Sequence, residues 1–146
     1  MLDWQVTSSP DASDVATVNE GVLGFGRSLA VGGNPVPLAC FVRDGGALVA
    51  GGVGRTEFHR LFVTSLWVAE DRRCRGLGAQ LLARMELEAS RRGATSSMIE
   101  TLNDRVAHLY ERRGYKPLAV VPSYVGEFTR HIMLKEYLAG AGGGGA

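Results

Sequence analysis

Arg73-Cys74-Arg75-Gly76-Leu77-Gly78-Ala79 is the stretch on which the fold turns. Leu61-Phe62-Val63-Thr64-Ser65-Leu66-Trp67-Val68 precedes it, apolar and β-branched enough to read as a buried strand. Leu77 to Arg92 follows, with Leu77, Leu81, Met85 and Ala89 at fourfold spacing along one face, as a core-facing helix requires. A strand, a basic glycine-containing turn and a helix start together build an anion site. The glycines let backbone approach a ligand closely, and the unpaired N–H groups and dipole of the helix favour negative charge. Arg72, Arg73 and Arg75 cluster at that helix N-terminus, where positive charge is unfavourable unless an anion is bound. Arg91, Arg92, Arg112 and Arg113 need no such explanation, because they stand at helix C-termini, which favour cations.

Two phosphates held in such a turn would be a pyrophosphate. A P-loop requires a Gly-Lys-Ser/Thr ending, and no lysine is near. A dinucleotide fingerprint requires G-x-G-x-x-G, and the third glycine position here is Leu81. The spacing Arg-x-x-Gly-x-Gly/Ala, between a strand and a helix, resembles instead the acyl-CoA loop of the GNAT N-acyltransferase superfamily. A second segment, Asn103-Asp104-Arg105-Val106-Ala107-His108-Leu109-Tyr110-Glu111-Arg112-Arg113-Gly114-Tyr115, is similar to the superfamily's other cofactor segment: Asn, a short helix carrying a Leu-Tyr pair, then Gly-Phe/Tyr. Its residues also read directly. Asn103 or Asp104 can cap a helix, Val106, Leu109 and Tyr110 can pack one side, and Gly114 supplies a left-handed stop.

The resemblance implies an acetyl-CoA-dependent N-acetyltransferase. Backbone of Leu66, Trp67 and Val68 would bind the pantetheine arm. The N–H groups of Arg73, Cys74, Arg75, Gly76, Leu77, Gly78 and Ala79, helped by arginine side chains, would bind the pyrophosphate. Asn103 would bind the arm or order a water, and Tyr110 would be the general acid for the leaving thiolate. Some relatives place a glutamate on the central strand as base. Stepping back from Val68 in twos gives Leu66, Thr64 and Phe62, none of them a base. Glu57, His59 and Glu100 therefore stand as candidates, alongside a water chain with no dedicated base. The acceptor rim is expected from Tyr124, Glu127, Arg130 and His131, with Glu127 suited to a cationic amine and Arg130 to an acceptor bearing a carboxylate. The expected acceptor is a small-molecule primary amine. A protein or peptide acceptor, and a non-catalytic acyl-CoA-binding module, are the alternatives.

Composition bounds the reading. The 146 residues suit one domain with a single core, and 45% hydrophobic against 21% charged residues is an ordinary globular balance. A net charge of +1 gives no field pointing to nucleic acid or an anionic membrane. Two cysteines, Cys40 and Cys74, form neither a disulfide framework nor a metal cluster, so no metal is expected. Cys74, flanked by arginines at a helix start, has the setting of a lowered thiol pKa, but its position resembles one used through backbone. With no signal segment and no long apolar run, a soluble cytoplasmic protein is expected, and the resemblance allows a homodimer.

Along the chain, Trp4-Gln5-Val6-Thr7 reads as an edge strand and Asp11 to Ala30 as helix, with Gly21, Gly24 and Gly26 marking a break into two short helices. Gly32-Gly33-Asn34-Pro35 reads as a loop. Leu38 to Val42 and Ala47 to Arg55 read as a hairpin about Asp44-Gly45-Gly46. Further strands are expected at Ser96 to Thr101, Lys116 to Val121 and Thr129 to Leu134. The expectation is an α/β fold of GNAT type over residues 1–138: a mixed, mostly antiparallel, splayed sheet of about six or seven strands flanked by helices. Residues 139–146 form a Gly/Ala-rich tail that reads as disordered.

Overall fold

The structure, a computed structural model, describes residues 1–29 and 34–138, without the side chains of residues 27–29. Ala30, Gly32, Gly33 and the tail at 139–146 lie outside the described residues. The chain forms two compact units, Met1–Asn34 and Pro35–Ala146. The first holds helix α1, Ala12–Leu29. Asp11 caps it, its Oδ1 accepting from the backbone N–H of Ser13 at 2.8 Å and of Asp14 at 3.4 Å. The Ser13 hydroxyl, with those N–H groups, holds the Asp11 carboxyl below its ordinary range. The expected break at Gly21, Gly24 and Gly26 does not occur. Each glycine costs about 1 kcal/mol relative to alanine but keeps its N–H and C=O, so the ladder runs on. Trp4–Thr7 is not a strand, because a strand persists only by pairing and none of the described strands pairs with it.

The second unit is a six-stranded mixed sheet among the described residues: β1 Val36–Asp44, β2 Ala47–Glu57, β3 Arg60–Val68, β4 Ser96–Thr101, β5 Lys116–Val125 and β6 Phe128–Glu136. Their spatial order is β1-β2-β3-β4-β6-β5, and only β3 and β4 run parallel. Gly45 and Gly46 turn the first hairpin with φ of 55° and 85°, the left-handed pair that a two-residue connection between twisted strands requires. Helices α2, Leu77–Arg91, and α3, Asp104–Glu111, contribute to one core with the sheet. From α2 it receives Leu82, Met85 and Ala89, from α3 Ala107 and Tyr110, and from the sheet Leu38, Leu61, Val63, Ile99 and Met133. Leu81 of α2 is buried as well. On α3 the packed side is Val106, Ala107 and Tyr110, whereas Leu109, expected among them, is exposed. At about 100° per residue, a side centred between positions 106 and 110 turns 109 outward.

The feature that positions the site is an irregularity in β3. Against β2, Ser65 pairs with Val53 but Val63 pairs with Gly54, so Thr64 is an extra residue, a β-bulge. The Thr64 hydroxyl donates to Val53 O at 3.0 Å. The bulge reverses the alternation: Leu61 and Val63 are buried before it, and Leu66 joins the same core after it. The continuous face is therefore Leu61, Val63, Leu66, not the Phe62, Thr64, Leu66 that strict alternation predicts. Gly54 permits the close approach, since a Cβ there would stand 2.2 Å from Phe62 O. Immediately before the bulge β3 leaves β4: parallel pairing covers only Arg60↔Ser96, Leu61↔Ser97 and Phe62↔Met98. A bulge bends its strand and increases local twist, so the C-terminal halves of β3 and β4 splay apart.

Candidate active site

The splay leaves backbone unpaired along one side of β3. Ala69 N–H donates to Val49 O at 2.9 Å, and Trp67 is opposite Gly51. In an antiparallel ladder residues alternate in the side to which they turn their N–H and C=O. Trp67 therefore spends its groups on β2, while Leu66 and Val68 turn theirs into the gap. Of the three backbone positions expected to hold a pantetheine arm, two thus face the gap and Trp67 does not. Part of Val68 O is already engaged, because Arg73 Nε donates to it at 3.1 Å.

At the C-terminal end of β3 a 3-10 turn, Glu70–Arg72, leads to the loop, where Cys74 and Gly76 have φ of 59° and 78°. A non-glycine residue at positive φ is uncommon and strained by about 1 kcal/mol or more. The N-terminus of α2 has neither a side-chain cap nor an acidic residue in its first turn. Gln80 N–H is the first to bond back, to Gly76 O at 3.1 Å, so the N–H groups of Leu77, Gly78 and Ala79 are left for a ligand. The three arginines divide. Arg72 pairs with Asp44 at 2.8 Å and Asp71 at 3.2 Å; hydrogen bonds to those carboxylates raise its pKa, and they tie the loop to the first hairpin. Arg73 is pinned to the strand end. Arg75 has no polar partner among the described residues. The helix N–H groups and Arg75 are thus the groups left without a partner at this turn, with Arg73 held at the strand end, a donor set whose chemistry fits a pyrophosphate. Cys74 is exposed and is a free thiol.

Asn103 caps α3: its Oδ1 accepts from Arg105 N–H at 3.0 Å and Val106 N–H at 3.2 Å, leaving the amide N–H groups unspent. The helix ends as Arg113 N–H bonds Tyr110 O at 2.9 Å and Tyr115 N–H bonds the same carbonyl at 3.1 Å, with Gly114 at φ 93°. Between cap and stop, Tyr110 is 9% exposed, its ring 5.9 Å from that of Tyr115. Burial pushes its phenol up to about 12. The Tyr110 hydroxyl makes no hydrogen bond in the described residues, yet is not enclosed; the one enclosed, unpartnered side-chain polar atom there is Tyr137 Oη. A protonated phenol with a free hydroxyl at the surface of a packed core is chemically suited to hand over a proton.

The expected bases and acceptor residues separate. Glu57 pairs with Arg55 at 2.8 Å, and His59, at φ 61°, has Nδ1 3.4 Å from Gly93 O. Both lie at the β2–β3 turn, at the opposite end of β3 from the loop, roughly 25–30 Å away for nine residues of strand. The structure does not bring them to the site. Glu100, on the last turn of pleat in β4, is ion-paired with Arg130, which also donates to the Tyr124 hydroxyl and lies 4.5 Å over that ring. His131, next along β6, pairs with Asp104 at 2.7 Å. Glu127 lies at the β5–β6 turn, beside Phe128 and Asn103 in the lining of a cavity of about 710 Å³. The loop and Tyr110 were signalled by spacing and the gap by the family resemblance; the Glu100–Arg130–Tyr124 cluster was not, because its members come from three strands. Gly54, which with Gly51 and Gly52 interrupts a strand pattern, was the available sign of the bulge.

The sequence pattern described as Acetyltransferase (GNAT) family matches residues 6–115. Blasticidin-S acetyltransferase of Streptomyces morookaense is 37% identical over 92 residues, covering 62% of this chain and 68% of that one. Among solved structures, a candidate acetyltransferase from Agrobacterium tumefaciens superposes with a TM-score of 0.85 at 23% identity, covering 93% of this chain and 100% of its own. A candidate streptothricin acetyltransferase from Bacillus anthracis str. Ames, solved in complex with acetyl coenzyme A, superposes at 0.63 with 16% identity over 72% and 65% of the two chains. Among the described residues no helix is long and apolar enough to cross a membrane. The chain belongs to the GNAT acetyltransferase family and is an acyltransferase that draws on acetyl-CoA.

Proposed function

We propose that this protein moves the acetyl group of acetyl-CoA onto a primary amine of a small molecule by direct transfer, with donor and acceptor bound together. The observation that carries the reading is the gap between β3 and β4, with the free N–H groups of α2 at one end and the unpartnered Tyr110 hydroxyl among its neighbours in the core. The relative named for blasticidin S supports a small-molecule acceptor. Leu66 and Val68 hold the pantetheine arm through backbone, and Leu77, Gly78, Ala79 and Arg75 hold the pyrophosphate. Tyr110 keeps its proton until the thiolate departs, then supplies it. The acetyl group leaves sulfur for nitrogen, the C–S bond breaks as the C–N bond forms, and the amine's surplus proton passes to water. Glu100, engaged by Arg130, is a poor base and a better acceptor-binding carboxylate. Glu127 and Asp104, against the one arginine Arg105, leave the lining of the neighbouring cavity net negative, which suits a cationic amine.

The test is thiol release from acetyl-CoA with a panel of small cationic amines and, separately, with peptides. Tyr110→Phe should lower kcat at least about tenfold, the low side of acid–base contributions, while CoA affinity changes little. Unchanged turnover in that variant removes Tyr110 from the chemistry. Turnover with peptides alone removes the small-molecule acceptor.

A further inference from the structure

Tyr110 is buried on α3, a helix of eight residues, and its hydroxyl has no partner among the described residues. A helix that short draws its order from what it packs on rather than from its own ladder. With nothing at its polar end, the ring has to be aimed from its flank, and the flank is Tyr115. Tyr115 N–H bonds Tyr110 O at 3.1 Å, and the two rings lie 5.9 Å apart, tilted by 50°, a favourable aromatic geometry. One residue thus holds both the backbone and the ring of Tyr110. Tyr115 is itself clamped at its far end. Its hydroxyl donates to Glu86 Oε1 on α2 at 2.7 Å and lies 2.6 Å from Ser97 Oγ on β4, which is left to donate to it. The other oxygen of Glu86 accepts from Lys135 Nζ on β6 at 2.7 Å. Ser97 is fully buried, and the Glu86 side chain is only 12% exposed. The Tyr115 hydroxyl therefore joins α2, whose first turn carries the free N–H groups, to β4, which borders the gap, and to the end of α3. Volume does not call for that hydroxyl, since phenylalanine would fill the same space with no polar group to bury. A buried polar network whose members satisfy one another rigidifies its surroundings and selects one arrangement of them.

We infer that Tyr115 is a positioning residue for the transfer: its hydroxyl, held between Ser97 and Glu86, fixes the direction of the Tyr110 phenol. The inference rests on the reading that Tyr110 gives its proton to the departing thiolate. Glu86 has its part through Tyr115, and neither acts at the reacting atoms. Proton delivery is steep in geometry, so a Tyr110 ring free to tilt loses rate without losing cofactor.

Steady-state kinetics of Tyr115→Phe, Tyr110→Phe and the double variant, each beside its melting curve, decide it. Tyr115→Phe should lower kcat at least about fivefold, with the KM for acetyl-CoA changed by less than about twofold. In the Tyr110→Phe background the same substitution should lower kcat no further, because no phenol proton is left to aim. Glu86→Ala should reproduce the loss, and Glu86→Gln, which keeps an acceptor for the Tyr115 hydroxyl, should recover most of it. Where Tyr115→Phe melts below the assay temperature, the two Glu86 variants in both Tyr110 backgrounds carry the same comparison. A kcat in Tyr115→Phe equal to that of the unaltered protein overturns the inference. So does an equal loss in both backgrounds, or a loss confined to KM, because a hydroxyl that only stabilises the fold acts without regard to Tyr110. Full turnover in Tyr110→Phe alone overturns the proton-donor reading, and the positioning role with it.

Discussion

Gly76 and Gly78 stand in one turn and answer to different constraints. Gly76 has a φ of 78°, a conformation the backbone itself demands. Gly78 has no such φ, and a Cβ there would meet Val68 Cγ2 at 3.9 Å, an ordinary contact. Among the described residues nothing excludes a side chain at position 78, so the proposed phosphate site is what a side chain there would test. Gly78→Asp should therefore fold with a nearly unchanged Tm and yet bind CoA at least about tenfold more weakly, through crowding and like-charge repulsion at a phosphate. Titration calorimetry beside a melting curve reads both, and CoA affinity equal to that of the unaltered chain would remove residue 78 from the phosphate site. Tyr110 and Tyr115 make a comparable pair. Tyr115 spends its hydroxyl on Ser97 at 2.6 Å and Glu86 at 2.7 Å, whereas Tyr110 spends its on nothing among the described residues. Both rings are buried, yet one hydroxyl is held by the fold and the other is free of it.

At the scale of elements, the bulge at Thr64 accompanies the opening of a parallel strand pair into a gap. Continued pairing of β3 with β4 would consume the N–H and C=O groups of Leu66 and Val68, and no extended thiol arm could use them. Gly54 is the condition for that geometry. Gly54→Ala should destabilise the protein by about 1–3 kcal/mol or more, because the clash is with the Phe62 carbonyl, a backbone atom without a rotamer to escape into. Chemical denaturation should show a lower midpoint, and CoA affinity should fall with it as β3 shifts. A midpoint equal to that of the unaltered protein would contradict the close approach. The Arg72–Asp44 pair is an element-scale device too, fastening the loop to the β1–β2 hairpin. Asp44 is exposed and Arg72 half-buried, so the pair's contribution to stability is small.

For the molecule as a whole, the buried phenols set the alkaline limit. Burial raises Tyr110 and Tyr137 to about 12 and Tyr115 further still. Unfolded tyrosines titrate near 10. Their contribution to stability is full below about pH 10 and is lost as pH rises toward 12, because the unfolded chain releases protons that the folded one keeps. Melting temperatures taken from pH 8 to 11.5 should hold and then fall beyond about pH 10; a level profile to 11.5 would argue against phenol burial. Across the same range Tyr110 remains protonated up to about pH 11, so kcat should show no loss attributable to it below that.

The strand, glycine turn and helix at 61–92, the Asn103-to-Gly114 cap and stop, and the Gly45-Gly46 hairpin were all legible along the chain. Each rests on local physics: helical or alternating periodicity, a capping side chain, a glycine at positive φ, a helix dipole set beside arginines. The family follows from two such segments, and with it acetyl-CoA. Tertiary structure decided what depends on residues distant in sequence. The phase of β3 changed because a bulge exists only against a partner strand, and it carried the inward face from Thr64 to Val63. Trp4–Thr7, patterned as a strand, found no ladder. Arg72 left the anion site once the fold supplied Asp44, and Glu100 met Arg130 and Tyr124 from two other strands. The fate of a charge depends on which opposite charge the fold places within reach, and spacing along one strand or helix does not encode that.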